Sequence, residues 1–216
     1  MTPVATGDHT SPIAPGISPR SETYALLAHA FSFPDSSFHE SAKAGQWVQE
    51  LGAALDRLPC RFRTSGLAWR AFGTPDDMQT EYIRLFQIGG RRGPPCPLHE
   101  GFYTRDRART LQNLIRFYNY FGFRVVECVM PDHLPVQLEF MSELAAGAVV
   151  DGLSGLRAQH DFLRAHLAWT NDLAGRVAKT GPHPFYRSLT ALTSRLIAAD
   201  QQFIRSALGD QYDGRS

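Results

Sequence analysis

Apolar residues recur every three or four positions along most of this chain, and prolines and glycines divide the recurrences into segments. In residues 21–33, SETYALLAHAFSF, they fall at Tyr24, Leu27 and Phe31 behind a serine suited to an N-cap, which predicts a first helix ending before Pro34. A second helix is predicted over 41–58, with Trp47, Leu51, Ala54, Leu55 and Leu58 on one side and Pro59 as its stop. A third begins at Pro75-Asp-Asp, where proline suits the first turn and acids suit the positive helix end, and runs to Gln87 before Gly89-Gly90.

The stretch GGRRGPPCPLHEG reads as a loop between helices, because its glycines and prolines forbid a regular one. Residues 105–121 repeat the helical period through Leu111, Leu114, Phe117, Tyr118 and Phe121, and 123–130 form a short extended connector ending at Pro131. From Asp132 the steps Leu134, Leu138, Met141, Ala145 and Ala148 make a packing seam closed by Gly152. Two long helices are expected over 154–179 and 184–208. No pair of alternating β-branched runs competes with this pattern, so the predicted fold is all-α: one globular helical bundle, residues 21–216, with two sub-lobes joined by a hinge near 128–131. Residues 1–20, with four prolines and no apolar period, are expected to form a flexible tail.

Composition narrows the function. The chain has 216 residues, 43% hydrophobic and 20% charged, and its 22 basic against 21 acidic residues leave a net charge of +1. That balance gives no global field for DNA or an anionic membrane. Three separated cysteines, Cys60, Cys96 and Cys128, make neither a disulfide framework nor a thiolate zinc site. No apolar run approaches the roughly 20 residues of a membrane span, and the N-terminus has neither the basic nor the apolar region of an export signal. A cytoplasmic protein without a membrane span is expected.

The search for catalytic constellations finds little. HExxH, GxSxG and GxxxxGK[ST] are absent, and the only lysines are Lys43 and Lys179, so neither a metal nor another resident cofactor is expected. His160 and His166, six apart on a predicted helix, point to different sides. Gly89-Gly90-Arg91-Arg92-Gly93 is either a solvated turn or a phosphate cradle; Cys96 is either structural or a nucleophile that lacks a visible base. Asp132-His133 opens a helix after Pro131: Asp132 suits a cap, while His133 is as well placed to meet a ligand as to serve the fold. His166 lies on an apolar seam with Trp169 and reads as a core histidine. A small-molecule or nucleotide site built from the GGRRG loop and His133 is the competing functional class.

Several ordered blocks go further. Residues 24–34 (YALLAHAFSFP), 81–86 (EYIRLF), 95–100 (PCPLHE), 130–141 (MPDHLPVQLEFM) and 162–169 (FLRAHLAW) together resemble the TorD/DmsD/NarJ group of chaperones that mature molybdenum oxidoreductases, over about residues 22–200. Gly101 stands where that group often has Ser, and Gln137 where it often has a second acid. The 95–100 block is most similar to chaperones of the type II enzymes of the dimethyl-sulfoxide-reductase superfamily.

The resemblance implies a non-catalytic all-helical protein that binds the twin-arginine leader of its client's catalytic subunit and holds the apoenzyme until its molybdopterin cofactor is inserted. Cofactor-delivery proteins are possible further partners. It also implies roles in leader binding for Asp132 and His133, with Glu81, Tyr82, Arg84 and Glu100 as other recurrent polar positions. A leader presents two arginines beside an apolar helix, so its site should pair carboxylates with an apolar wall. The candidate acids are Asp132, Glu139, Glu81 and Glu100, with Leu134, Phe86 and Tyr82 as wall. Glu139 could equally be an ion-pair partner between helices, and Tyr82 and Phe86 could simply be core.

Overall fold

Helix α1 (Pro19–Phe31) starts where proline at the first position needs no donor and where the Ser18 side chain accepts the Ser21 N–H. The cap is therefore Ser18 rather than Ser21, and residues 18–20 belong to the folded protein, with Arg20 buried. In this computed structural model the described residues are 18–61, 64–89, 93–126, 129–147 and 152–209. The remainder of the expected tail, all three internal residues of the GGRRG arginine loop (90–92) and Cys128 of the expected hinge lie outside them.

The predicted second helix is two. Gly45, in the left-handed region at φ 77°, ends α2 (Ser36–Ala44) and starts α3 (Gln46–Asp56), so the chain turns where the apolar count alone would continue it. Helix α4 (Pro75–Tyr82) carries a reciprocal capping box between Thr74 and Asp77 and widens into a π-turn over Ile83–Gln87. A loop and a short 3₁₀ turn (Glu100–Phe102) lead to α5 (Arg107–Tyr120), capped by Asp106.

Helix α6 (Leu134–Ala145) begins two residues after Asp132, and Gly152 opens α7 (Gly152–Phe162) instead of closing α6. The single helix expected over 154–179 is interrupted: a second π-turn, Leu163–Leu167, is followed by a bend at Ala168-Trp169 before α8 (Thr170–Lys179). Helix α9 (Pro184–Leu208) is the long one, 25 residues. Among the described residues there is no strand ladder; His99 and His133 form an isolated antiparallel bridge. The all-α expectation holds.

Buried apolar side chains from α1 through α9 form one cluster, with α1 packed along α6 and against α3, and α8 along α9. Tyr82 and Phe86 belong to it, and the Tyr82 hydroxyl donates to Phe31 O, one of the carbonyls that the end of α1 leaves unpaired. A buried polar clamp crosses the cluster. Arg20 places Nε and Nη2 on the two carboxylate oxygens of Asp200 at 2.7 and 2.8 Å and Nη1 on Gln159 at 2.7 Å, while the Tyr24 hydroxyl donates to Asp200 at 2.8 Å. The Gln159 amide continues to Leu144 O, so four helices (α1, α6, α7, α9) share one network.

Candidate functional site

The 95–100 and 130–141 blocks, separate in sequence, meet in space. Leu134 N–H donates to Leu98 O at 2.8 Å and Glu100 N–H to Asp132 O at 2.9 Å, which clips the loop before the 3₁₀ turn onto the start of α6. The first bond also gives a partner to one of the amides a helix start leaves unpaired. Tyr118 of α5 donates to Pro131 O at 2.9 Å, so the turn entering α6 is held from both sides.

Asp132 is the centre of the clip. Fully buried, its carboxylate receives His99 Nδ1 at 3.1 Å and Gly101 N–H at 3.2 Å, with Arg107 Nε at 4.0 Å. Burial pushes its pKa up, but His99, the Gly101 amide and Arg107 outweigh burial and hold it below the usual carboxylate range. A Cβ on residue 101 would stand 2.9 Å from Asp132 Oδ2 and 2.6 Å from Arg107 Cγ, so glycine here lets the carboxylate approach the backbone amide. The His133 ring lies 4.8 Å from that of His99. Burial and the neighbouring His99 depress His133 to about 4, leaving it neutral at neutral pH although Asp132 pulls the other way.

Beneath this layer sits Glu100, also buried. It receives Gln137 Nε2 at 2.6 Å and His166 Nδ1 at 3.2 Å, and Gln137 in turn accepts Trp169 Nε1–H at 3.1 Å. Burial raises the Glu100 pKa despite these donors, and Asp132 adds to the rise. Gln137 is needed as a donor: an acid at this position would set a second buried carboxylate against Glu100. The ladder ends at the surface, where Tyr103 stacks on Trp169 at 4.8 Å and the Arg176 guanidinium lies 4.4 Å above Tyr103.

The sequence-nominated residues thus fall into separate places. Asp132, His133 and Glu100 share the clip. Glu81 and Arg84 pair with each other at 2.6 Å at the end of α4, where Glu81 also accepts the His183 N–H. Burial would raise Glu81, yet Arg84 and His183 hold it low. Tyr82 is core, and Glu139 is exposed on α6. Sequence reasoning gave His99 no role, named Gln137 only as a departure from the family pattern and Trp169 only as an apolar neighbour of His166, and placed His166 in the core without its partner. The His166 position is legible only through the π-turn, which a 100° wheel cannot anticipate. Cys96 is buried, its thiol pushed up by burial, and its amide donates to Leu85 O, so it anchors the loop. Among the described residues no three metal-ligating side chains converge, and no helix is long and apolar enough to cross a membrane.

Comparison with known proteins places this geometry. The chain is 31% identical over 199 residues to the chlorate reductase assembly chaperone protein of Ideonella dechloratans, covering 87% of this chain and 89% of that one. It is 28% identical to the perchlorate reductase assembly chaperone protein of Dechloromonas aromatica (83% and 87% covered) and 27% identical to the nitrate reductase molybdenum cofactor assembly chaperone NarJ of Escherichia coli K12 (66% and 60% covered). A crystal structure from Archaeoglobus fulgidus, of a protein assigned to redox enzyme maturation, shares the fold at a TM-score of 0.55 and 18% identity over 88% of this chain and 99% of its own. These relatives are assembly chaperones rather than catalysts. The family model for the nitrate reductase delta subunit matches residues 41–174, more than half of the sequence and inclusive of the whole clip, and the chain belongs to that family.

Proposed function

We propose that this protein is a cytoplasmic maturation chaperone that binds the twin-arginine leader and the apo catalytic subunit of a molybdenum oxidoreductase and holds it for cofactor insertion before export. The observation that supports it most is the meeting of the two most specific blocks at Asp132, within a chain whose relatives carry chlorate, perchlorate and nitrate reductase chaperone names.

The burial pattern divides the labour among the nominated acids. Asp132 and Glu100 spend their oxygens on internal donors, and a leader guanidinium could reach them only by displacing those donors. They act as positioning residues. Contact falls to the surface they shape: His99 and His133, the exposed apolar side chains Phe102, Val129 and Met130, and the exposed acid Glu139 one turn and a half into α6. An exposed carboxylate and exposed apolar side chains are what a peptide that carries arginines next to an apolar helix would need.

Calorimetric titration with the twin-arginine leaders encoded near this gene tests the reading. Micromolar or tighter binding is expected, weakened at least tenfold, about 1.4 kcal/mol, by Glu139→Gln together with His133→Ala. Absence of binding to every leader by a chain with intact helical circular dichroism would overturn it.

A further inference from the structure

Among the described residues three donors face the Asp132 carboxylate, and one is unlike the others. His99 Nδ1 and the Gly101 N–H lie at 3.1 and 3.2 Å, within hydrogen-bond reach, whereas Arg107 Nε stands off at 4.0 Å with its side chain 49% exposed. Arg107 is also the first residue of α5, where the positive helix end disfavours a cation. Its stem lies across Gly101, where a Cβ would come within 2.6 Å of Arg107 Cγ and 2.9 Å of Cδ, and its guanidinium carbon sits 5.7 Å from the centre of the exposed Phe102 ring. A carboxylate, an aromatic ring and a glycine floor together make a seat for a guanidinium.

We propose that Arg107 is a built-in stand-in for an arginine of the partner: it fills a guanidinium seat formed by Asp132, Gly101 and Phe102, and a guanidinium of the partner takes that place when Arg107 swings out. The inference rests on the leader-binding reading, since a twin-arginine leader supplies the incoming group, and it adds to that reading a site on this chain and a latch over it. A planar, weakly hydrated guanidinium suits a place against an aromatic ring better than the compact, strongly hydrated ammonium of lysine. Asp132 keeps its two short bonds throughout, because the seat holds its cation at the distance of a charge neighbour rather than of a hydrogen-bond donor, and the carboxylate remains a positioning residue.

The latch is built to open. An ion pair with one half-exposed partner is screened by water, and the helix end opposes the cation that makes it. Exchanging one guanidinium for another leaves the charge beside Asp132 unchanged, so the buried carboxylate is not left without its cation when the partner binds. The latch also sets the affinity: a seat filled by Arg107 about four-fifths of the time weakens the apparent binding of the partner about fivefold.

The test compares the full-length parent chain with Arg107→Ala and with Arg109→Ala, which removes the same charge from the same helical turn but about 200° around α5. Both side chains are exposed, so neither replacement touches the core. In calorimetric titration with the leader, Arg107→Ala is expected to bind at least fivefold tighter than the parent, and Arg109→Ala to stay within twofold of it. A second arm does without the leader: ethylguanidinium chloride is titrated at constant ionic strength while the His99 and His133 ring signals are followed by NMR, with ethylammonium as the control. Arg107→Ala is expected to respond to ethylguanidinium at a concentration at least fivefold lower than the parent does, and to ethylammonium no more than the parent. Leader affinity unchanged or weakened in Arg107→Ala, an equal gain in Arg109→Ala, or equal responses of the parent and Arg107→Ala to ethylguanidinium would each overturn the proposal. If no leader binds any of the three chains, the leader-binding reading falls and the ethylguanidinium arm alone decides the seat.

Discussion

Two buried ionic networks cross this molecule, and they are built from different bases. The clamp of Arg20 on Asp200 uses a guanidinium, which keeps its charge at any pH at which the chain folds, and a bidentate geometry that meets both carboxylate oxygens. The clip around Asp132 and Glu100 uses His99 and His166, imidazoles that each approach their carboxylate through a single ring nitrogen, Nδ1. The first ties four helices of the bundle together. The second joins a loop to a helix start next to the surface proposed for partner binding. A bidentate guanidinium pair holds the framework, and single imidazole contacts shape the loop and helix start proposed to meet a partner.

The comparison breaks most visibly at the clamp. Arg20→Ala leaves the buried Asp200 carboxylate with only the Tyr24 hydroxyl and is expected to cost about 3–5 kcal/mol in urea denaturation. Replacing both partners by apolar residues, Arg20→Met with Asp200→Leu, should recover most of that loss, because no uncompensated charge remains. A double variant as unstable as the single one would show that the hydrogen bonds to Tyr24 and Gln159, not the charge pair, hold the helices.

The clip should be the part that answers to pH. His133 titrates at about 4 in the folded chain against about 6.5 in an unfolded one, so the fold disfavours its protonation. Its contribution is therefore complete above pH 6.5 and is lost as pH falls towards 4, by at most about 3 kcal/mol. His99, Asp132 and Arg107 face the same space; Asp132, held low, adds a loss that begins only below the ordinary carboxylate range. Thermal melts between pH 7 and 4.5 should show the decline, and His133→Asn should flatten it. An unchanged slope in that variant would remove His133 from the account.

The periodicity made the helices legible because packing on one cluster imposes it, and Trp47, Leu51 and Ala54 or Leu134, Leu138 and Met141 are where the pattern put them: in the core. It failed at single residues that change direction. Gly45 splits one predicted helix through a left-handed turn, and the π-turn at Leu163–Leu167 bends another, neither of which alters an apolar count. At the site, the motif pointed to Asp132, His133 and Glu100 but not to what they touch. Gln137 reads in sequence as a departure from a family pattern, and only the distance to Glu100 shows it as the donor that a buried carboxylate requires. Burial, likewise invisible in a motif, turns two of the four nominated acids, Asp132 and Glu100, inward.

A smaller effect separates charge from hydrogen bonding within the clip. Glu100→Gln keeps an acceptor for His166 and removes the charge that burial disfavours, so its stability should stay within about 1 kcal/mol of the parent. The sign depends on pH. Because burial raises the Glu100 pKa, the parent loses stability as pH climbs from the ordinary carboxylate range through that raised value, and the glutamine variant does not. The difference between the two should thus shift in favour of Glu100→Gln between pH 4.5 and 7. A shift the other way would mean that the charge on Glu100 is held by His166 more firmly than burial opposes it.

The smallest effect belongs to Arg84, the nominated residue farthest from the logic of the clip. Its guanidinium pairs with Glu81 three positions earlier while its own side chain remains 45% exposed, and water screens such a pair. Glu81 also has the His183 N–H, so it is not stranded when the arginine is removed. Arg84→Ala should therefore change stability by less than about 0.5 kcal/mol and leave leader affinity within twofold, measured in the calorimetric titration used for Glu139→Gln. A tenfold loss of affinity without a loss of stability would instead extend the binding surface from the start of α6 to the end of α4, and would make the Glu81–Arg84 pair part of what the partner reads.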